Sequence, residues 1–150
     1  MDVTVTVNGV EYERDVEPRK LLVHFIRDDL DLTGSHIGCD TGNCGACSMI
    51  VNGQLVKSCM MLAVQANGAT VETVEGLAED GELTALQQSF SDHHALQCGY
   101  CTPGMLMSAT ALLRENSSPS DEEIKKALQG NICRCTGYWN IFEAVKAVAK

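Results

Sequence analysis

The sequence predicts an α+β fold, with strands and a helix in the first half of the chain and helices alone in the second. Three observations carry this prediction. Apolar and polar residues alternate from Val3 to Val7, a second short strand pattern begins at Ser48, and beyond Leu83 helix start signals replace the alternating patterns. A chain of 150 residues suits one or two small domains.

Two β-hairpins are expected in the first half. Val3–Val7 and Val10–Glu13 flank an Asn-Gly dipeptide, which favours the type I′ turn of a tight hairpin. Ser48–Val51 and Gln54–Lys57 flank a second Asn-Gly dipeptide in the same way. Each pair therefore predicts two adjacent antiparallel strands.

Other elements of the first half follow from spacing. A helix is expected after Pro18, because Leu22, Phe25 and Ile26 recur at helical intervals. The segment 34–47 is rich in glycine and cysteine and is predicted to be a loop, whereas 70–74 is predicted to be a strand.

The second half shows helix caps. Thr102 is expected to cap a helix with Pro103 in its first turn, and Ser120 with Glu123 forms a capping box. Asn140 is expected to cap the last helix. Residues 75–82 are acidic and contain glycine, so they are the predicted linker between domains 1–76 and 77–150.

Composition excludes several function classes. The 11 basic and 20 acidic residues give a net charge of −9, which repels nucleic acid and acidic lipid surfaces. The first residues show neither a basic nor an apolar signal region, and no apolar stretch is long enough to span a bilayer, so a cytoplasmic protein is expected. Eight cysteines in a reducing compartment favour metal ligation over disulfides.

The first four cysteines, called here the first quartet, have the spacing of a plant-type [2Fe–2S] ferredoxin. They follow a C-x4-C-x2-C pattern with a fourth member further along the chain: Cys39, Cys44, Cys47 and Cys59. Gly38, Gly42 and Gly45 allow the backbone to approach a cluster closely. Structural zinc is the alternative, but zinc sites favour two symmetric pairs, so the spacing favours iron–sulfur.

The last four cysteines, called here the second quartet, are less decisive by spacing alone. They form a C-x2-C pair and a C-x-C pair: Cys98, Cys101, Cys133 and Cys135. Both pairs lie at predicted helix ends, which favours a second metal cluster, while a zinc site or free thiols remain as alternatives. Because the eight cysteines divide into two groups of four, His36, His93 and His94 are predicted to be surface or core residues rather than ligands.

The segments around these cysteines resemble a known family. Cys39–Cys47 with Cys59, Gln97–Gly104 (QCGYCTPG) and Asn131–Tyr138 (NICRCTGY) are similar to the iron–sulfur subunit of the molybdenum hydroxylases, the xanthine dehydrogenase family. The resemblance covers nearly all of the chain and fills all eight ligand positions. Residues 56–66 most resemble the small subunits of aerobic carbon monoxide dehydrogenases.

The resemblance implies a ferredoxin-like β-grasp domain followed by a four-helix domain, each holding one [2Fe–2S] cluster. It also implies a large subunit with molybdopterin (cytosine dinucleotide), a medium subunit with FAD, and a dimer of heterotrimers. Electrons would pass from molybdenum to the second quartet, then to the first quartet, and then to flavin. Gln97 and Cys135 would contact the pterin, and the substrate, whether carbon monoxide, an aldehyde, a purine or another N-heterocycle, would bind in the large subunit.

Two other functions fit the sequence. A freestanding two-cluster ferredoxin would carry the same cysteines without fixed partners. A zinc-stabilised interaction module would be colourless. The chain shows no G-x-G-x-x-G or Walker A sequence, so no dinucleotide or triphosphate site is predicted on it.

Overall fold

A five-stranded mixed sheet occupies the first half of the computed structural model, which describes residues 1–78 and 80–150. The strands are β1 (Asp2–Val7), β2 (Val10–Asp15), β3 (Ser48–Val51), β4 (Gln54–Lys57) and β5 (Thr70–Glu72). Their order across the sheet is β2-β1-β5-β3-β4. The pairing of β1 with β5 is parallel, and the other pairings are antiparallel.

Both predicted hairpins are present. Asn8 and Gly9 have φ angles of 50° and 82°, and Asn52 and Gly53 have φ angles of 48° and 80°. Positive φ at both central residues is the requirement of a type I′ turn, which explains the Asn-Gly pair at each position. The predicted strand 70–74 is shorter than expected, because Val74–Gly76 turns into a 3-10 helix.

The helix expected after Pro18 is short. The α-helix α1 (Leu22–His24) continues directly as a π-helical turn over Phe25–Asp29. Leu22, Phe25 and Ile26 are fully buried and pack in one core with the inward-facing valines of β1. Burial of these side chains therefore holds the segment across the sheet.

Four helices follow in the second half: α2 (Ala85–Asp92), α3 (Thr102–Glu115), α4 (Asp121–Leu128) and α5 (Trp139–Val148). They share a second core that includes Phe90, Met105, Ile124 and Ile141. None of the helices in the described part of the chain combines the length and the apolar character needed to cross a membrane.

Helix caps follow the sequence in one of three cases. The Ser120–Glu123 capping box is present, with Ser120 Oγ accepting from Glu123 N at 3.3 Å. The other two predictions are wrong. Thr102 lies inside α3 and its hydroxyl caps nothing, because Cys101 takes the cap position; Asn140 lies inside α5, which begins after Tyr138. The predicted linker includes Glu79, which is outside the described residues.

The two halves meet where α3 crosses β3 and the loop before it. A Cβ atom at Gly104 would lie 2.1 Å from Gly45 O, so only glycine permits this approach of two backbones. At the other end of α3, the Arg114 guanidinium donates to both carboxylate oxygens of Glu72, at 2.9 and 2.8 Å. The halves are thus fixed by a close backbone contact and a two-pronged ion pair.

Replacement of Gly104 by alanine should destabilise the protein, although alanine is the better helix former. The new methyl group meets backbone rather than a flexible side chain, and overpacking of this kind costs about 1–3 kcal/mol. The melting temperature should fall by about 2–4 °C per kcal/mol for a chain of this size. Gly130→Ala is the matched control, because its Cβ would meet only Lys57 atoms at 3.5 Å or more. Equal melting temperatures of the two variants would contradict the role assigned to this contact.

Candidate metal centres

The first quartet lies at the open end of the β3–β4 hairpin. Cys47 directly precedes β3 and Cys59 follows β4 in a 3-10 turn, Ser58–Met60. Because Ser48 pairs with Lys57 in the hairpin register, the residues just outside that pair are brought together. The thiol of Cys47 is accordingly close enough to that of Cys59 to raise its pKa. Cys39 and Cys44 come from the preceding loop, so strand pairing and loop together assemble the quartet.

Backbone amides of the loop point at sulfur. Cys39 Sγ accepts N–H groups from Thr41 at 3.4 Å and from Cys44 at 3.3 Å. Asp40 and Gly42 have positive φ angles, which turn the peptide units inward. These amides stabilise a negative sulfur, first Thr41 and then Cys44, and they lower the pKa of Cys39 to about 6. The loop is therefore preorganised for a thiolate.

Burial has the opposite effect deeper in the site. Cys47 and Cys59 are buried, and burial followed by the contact with Cys47 raises the pKa of Cys59 to about 11. Such a thiol gives up its proton when a metal replaces it, so metal binding at this position releases protons.

The second quartet joins two helix ends. Cys98 and Cys101 precede α3, while Cys133 and Cys135 lie between α4 and α5. The Cys133 thiol is close enough to Cys101 to raise its pKa, and the Cys98 thiol does the same to the pKa of Cys135. Burial, followed by the Cys133 contact, raises the pKa of Cys101 to about 12.

Thr136 donates hydrogen bonds to a sulfur of the second quartet, as the loop amides do in the first. Its N–H and its hydroxyl donate to Cys133 Sγ at 3.4 and 3.0 Å. Burial acts to raise the pKa of Cys133, but the Thr136 hydroxyl and amide outweigh it and lower that pKa. Both quartets therefore contain one thiol stabilised as an anion by donors from its own loop.

The second quartet opens to the surface. Cys98 and Cys135 are exposed, as is Gln97 directly before Cys98. Large apolar side chains surround them in the sequence and are also exposed: Leu96, Tyr100, Ile132, Tyr138 and Trp139. We call these five residues the apolar rim. Trp139 is the most exposed of them, at 65%.

The two cysteine-bearing loops are bonded directly to each other. Cys44 O accepts the N–H of Ile132 at 2.8 Å, and Gly45 O accepts from Asn131 Nδ2 at 3.1 Å. Asn131 is buried, and its Oδ1 accepts from Ser108 Oγ of α3 at 2.7 Å. Two adjacent residues of one loop thus hold two adjacent residues of the other.

A second contact between the loops involves His36. Its Nδ1 donates to Tyr100 O at 2.8 Å, the two rings stack with centroids 4.4 Å apart, and Tyr100 OH donates to Ile37 O at 2.7 Å. His93 instead contacts Ser89 O of its own helix at 2.9 Å, and His24 lies 3.6 Å from Asp28. His36 therefore links the segments that hold the two quartets.

The residues present fit a cluster with two metals at each quartet. Within the described ranges, no three His, Cys, Asp or Glu side chains are arranged around a single metal ion. A [2Fe–2S] cluster needs two thiolates for each of two irons, and each quartet supplies four thiols from two neighbouring segments. A Cβ at Gly38 would lie 2.8 Å from Cys44 Sγ, so glycine keeps the cradle open. Beside Cys101, the buried Thr102 hydroxyl has no hydrogen-bond partner among the described residues and is available to a sulfur acceptor.

Sequence reasoning missed three residues that organise the site. Asn131 lies in a recognised segment but gave no sign of its contact with Gly45, and His36 gave no sign of its contact with Tyr100. Lys57 donates to Gly42 O at 2.6 Å and so reaches into the first loop. For Lys57, the sequence offered one signal, its position two residues before Cys59. The contacts of Asn131 and His36 are visible only in the folded structure.

Comparisons with known proteins agree with this geometry. Residues 5–78 match the model of the 2Fe-2S iron–sulfur cluster binding domain, and residues 73–146 match that of the [2Fe-2S] binding domain. Caffeine dehydrogenase subunit gamma of Pseudomonas sp. (strain CBB1) is 53% identical over 98% of this chain and 90% of its own.

Two solved structures show the same fold. A chain of quinoline 2-oxidoreductase from Pseudomonas putida 86 superposes with a TM-score of 0.97 at 48% identity, covering 99% of this chain and 92% of that one. Aldehyde oxidoreductase from Desulfovibrio desulfuricans ATCC 27774 gives 0.94 at 42% identity, covering 99% of this chain but 17% of the longer chain.

Fold and site define an iron–sulfur protein with two consecutive 2Fe-2S domains. The chain belongs to the molybdenum hydroxylase (xanthine dehydrogenase) family, as its small 2Fe-2S subunit, an electron-transfer subunit of an oxidoreductase. None of the three relatives described above is a carbon monoxide dehydrogenase, so the narrower resemblance stays a prediction.

Replacement of Asn131 by alanine should loosen the junction of the two loops. It leaves Ser108 Oγ buried without an acceptor and removes one donor from Gly45 O, a loss worth about 1–3 kcal/mol. The free energy of unfolding in urea measures it. Asn140→Ala is the control, since Asn140 is exposed and makes one long contact, 3.3 Å, to His94 O. An unchanged stability of the Asn131 variant would refute the proposed junction.

Proposed function

We propose that this chain carries single electrons through two [2Fe–2S] clusters, one in each cysteine quartet, inside a molybdenum hydroxylase. The observation that carries the proposal is the gathering of the eight cysteines into two sites of four, one at the end of the β3–β4 hairpin and one between the ends of helices. A [2Fe–2S] cluster bound in such a quartet accepts and releases one electron at a time.

We assign two ligands to each iron. In the first quartet, Cys39 and Cys44 bind one iron and Cys47 and Cys59 bind the other. In the second quartet, the contacts favour Cys98 with Cys135 and Cys101 with Cys133. Amides at Cys39 and the Thr136 donors at Cys133 offset the negative charge that each cluster brings.

The second quartet receives the electron from outside the chain. Its exposed members, Cys98 and Cys135, lie with Gln97 at the surface, where Gln97 and Cys135 contact the pterin of a molybdopterin (cytosine dinucleotide) cofactor in the large subunit. The electron then passes to the first quartet and on to FAD in a medium subunit. The direct hydrogen bond between Cys44 and Ile132 supports transfer between the two quartets, because it joins the two loops.

Permanent association follows from the apolar rim. An apolar surface around an exposed redox site favours a docked partner over free diffusion, which a shuttle ferredoxin would need. The aldehyde oxidoreductase chain, of which the matched region is 17%, joins the same module covalently to a larger protein. We therefore propose a heterotrimer with large and medium subunits, paired into a dimer of heterotrimers and located in the cytoplasm.

The finer architecture belongs to the same proposal. The first domain, 1–76, is a ferredoxin-like β-grasp in which the helical segment crosses the five-stranded sheet. The second domain, 77–150, is a four-helix unit built from α2 to α5.

Iron content and EPR spectra test the two-cluster proposal. The holoprotein should contain about four iron ions per chain and give two distinct signals after reduction. Cys59→Ala and Cys135→Ala should each retain about two irons and lose one signal, a different one in each case. Met60→Ala, an exposed neighbour of Cys59, is the control and should retain both signals. About two irons in the unmodified chain, or bound zinc without colour, would overturn the proposal.

Replacement of Trp139 by aspartate should weaken docking without harming the fold. Trp139 is the first residue of α5, where an acidic side chain suits the helix dipole, and exposed interface tryptophans often contribute about 2 kcal/mol or more to binding. Co-purification with the large subunit should fall, while iron content stays unchanged. Val10→Asp, an exposed apolar residue beside the first hairpin turn, should leave co-purification intact. Full association of the Trp139 variant would argue for the freestanding ferredoxin.

A further inference from the structure

Lys57 is half-buried, and its ammonium group contacts the loop of the first quartet. It ends β4, pairs across the hairpin with Ser48, and comes two residues before Cys59. Its Nζ donates to Gly42 O at 2.6 Å, within the loop between Cys39 and Cys44. The strand pairing thus fixes the backbone of Lys57 in the hairpin, while its side chain contacts the loop.

No carboxylate of the described residues forms an ion pair with Lys57. Among the ion pairs of residues 1–78 and 80–150, none includes Lys57. The chain as a whole has a net charge of −9, and two oxidised clusters of charge about −2 each would bring it to about −13. A lone cation in such surroundings acts mainly on the nearest negative group. A half-buried position also limits its screening by salt.

The position of Lys57 is asymmetric with respect to the two quartets. It bonds directly to the first loop, whereas its approach to the second is through Gly130, whose ideal Cβ position lies 3.5 Å from Nζ. Gly130 is three residues before Cys133. Reduction adds one negative charge to a cluster, so a nearby cation stabilises the reduced form, and more strongly at the closer cluster.

We propose that Lys57 tunes electron transfer through its charge: its ammonium raises the reduction potential of the first-quartet cluster relative to that of the second. The electron is thereby drawn from the surface cluster toward the first quartet. This inference rests on the proposed function, since it requires a cluster in each quartet.

Redox titrations followed by EPR test the inference on the cluster-loaded full chain. The Cys59 and Cys135 variants described above assign each signal to its quartet. In Lys57→Gln, we expect the potential of the first cluster to fall by about 59 mV, which corresponds to a tenfold change in a one-electron equilibrium. The potential of the second cluster should move by less than half as much. Lys57→Arg should retain the original values, because it keeps the charge.

The control removes the same charge elsewhere. Arg14 is exposed on β2, at the opposite edge of the sheet from β4, so Arg14→Gln should leave both potentials unchanged. Equal potentials in Lys57→Gln and the unmodified chain, or equal shifts in Lys57→Gln and Arg14→Gln, would overturn the inference while leaving the two-cluster function intact.

A structural role gives a different result. In that case Lys57→Gln and Lys57→Met both lose the first cluster and its two irons, while Lys57→Arg keeps them. Such a result would mean that the side chain holds the loop in place and does not tune the potential of the cluster, and the inference would be wrong. If the unmodified chain carries no iron, the proposed function itself fails and the inference falls with it. Iron content, measured first, therefore separates the two failures.

Discussion

The close approach of Gly45 and Gly104 is the constraint on which the arrangement of the two sites depends. A methyl group on either residue would meet backbone of the opposite half, Gly130 O in one case and Gly45 O in the other. Without side chains between them, the loop of the first quartet and the start of α3 share one contact. That contact places Cys44 O within reach of Ile132 N and fixes the loops that carry both quartets.

The residues at this close backbone contact also form hydrogen bonds between the two halves. Gly45 O accepts from Ser48 N, Ser48 Oγ and Asn131 Nδ2, so a buried carbonyl is fully used by donors from both halves of the chain. A buried polar group without a hydrogen-bond partner costs free energy, whereas a fully paired group favours one arrangement of its neighbours over others. The junction therefore fixes the relative position of the two loops more precisely than apolar contact alone would. Electron transfer depends steeply on the distance between redox centres, which this position sets.

Local elements followed from the sequence and long-range contacts did not. Both hairpins were predictable, because an Asn-Gly pair meets the φ requirement of its turn from two adjacent residues. The capping box at Ser120 is equally local. Thr102 misled because capping depends on where the helix starts, and Cys101 takes the cap position with its backbone alone. The cysteine spacings indicated the two quartets, but the contact of Asn131 with Gly45 joins residues 86 positions apart, a distance at which no sequence pattern operates.

The exposure of the second quartet explains why this chain is a subunit rather than a complete electron carrier. Two of its thiols and the apolar rim face solvent. Water around a charged cluster at this position would have to reorient each time the charge of the cluster changes. A docked protein surface replaces that water with fixed dipoles, which need less rearrangement when charge moves. The first quartet is more enclosed, since two of its thiols are buried, the other two are half-buried, and its loop supplies amides to sulfur. The fold of the chain thus encloses one quartet more than the other, and the more exposed quartet is the one that the proposed function places against a partner.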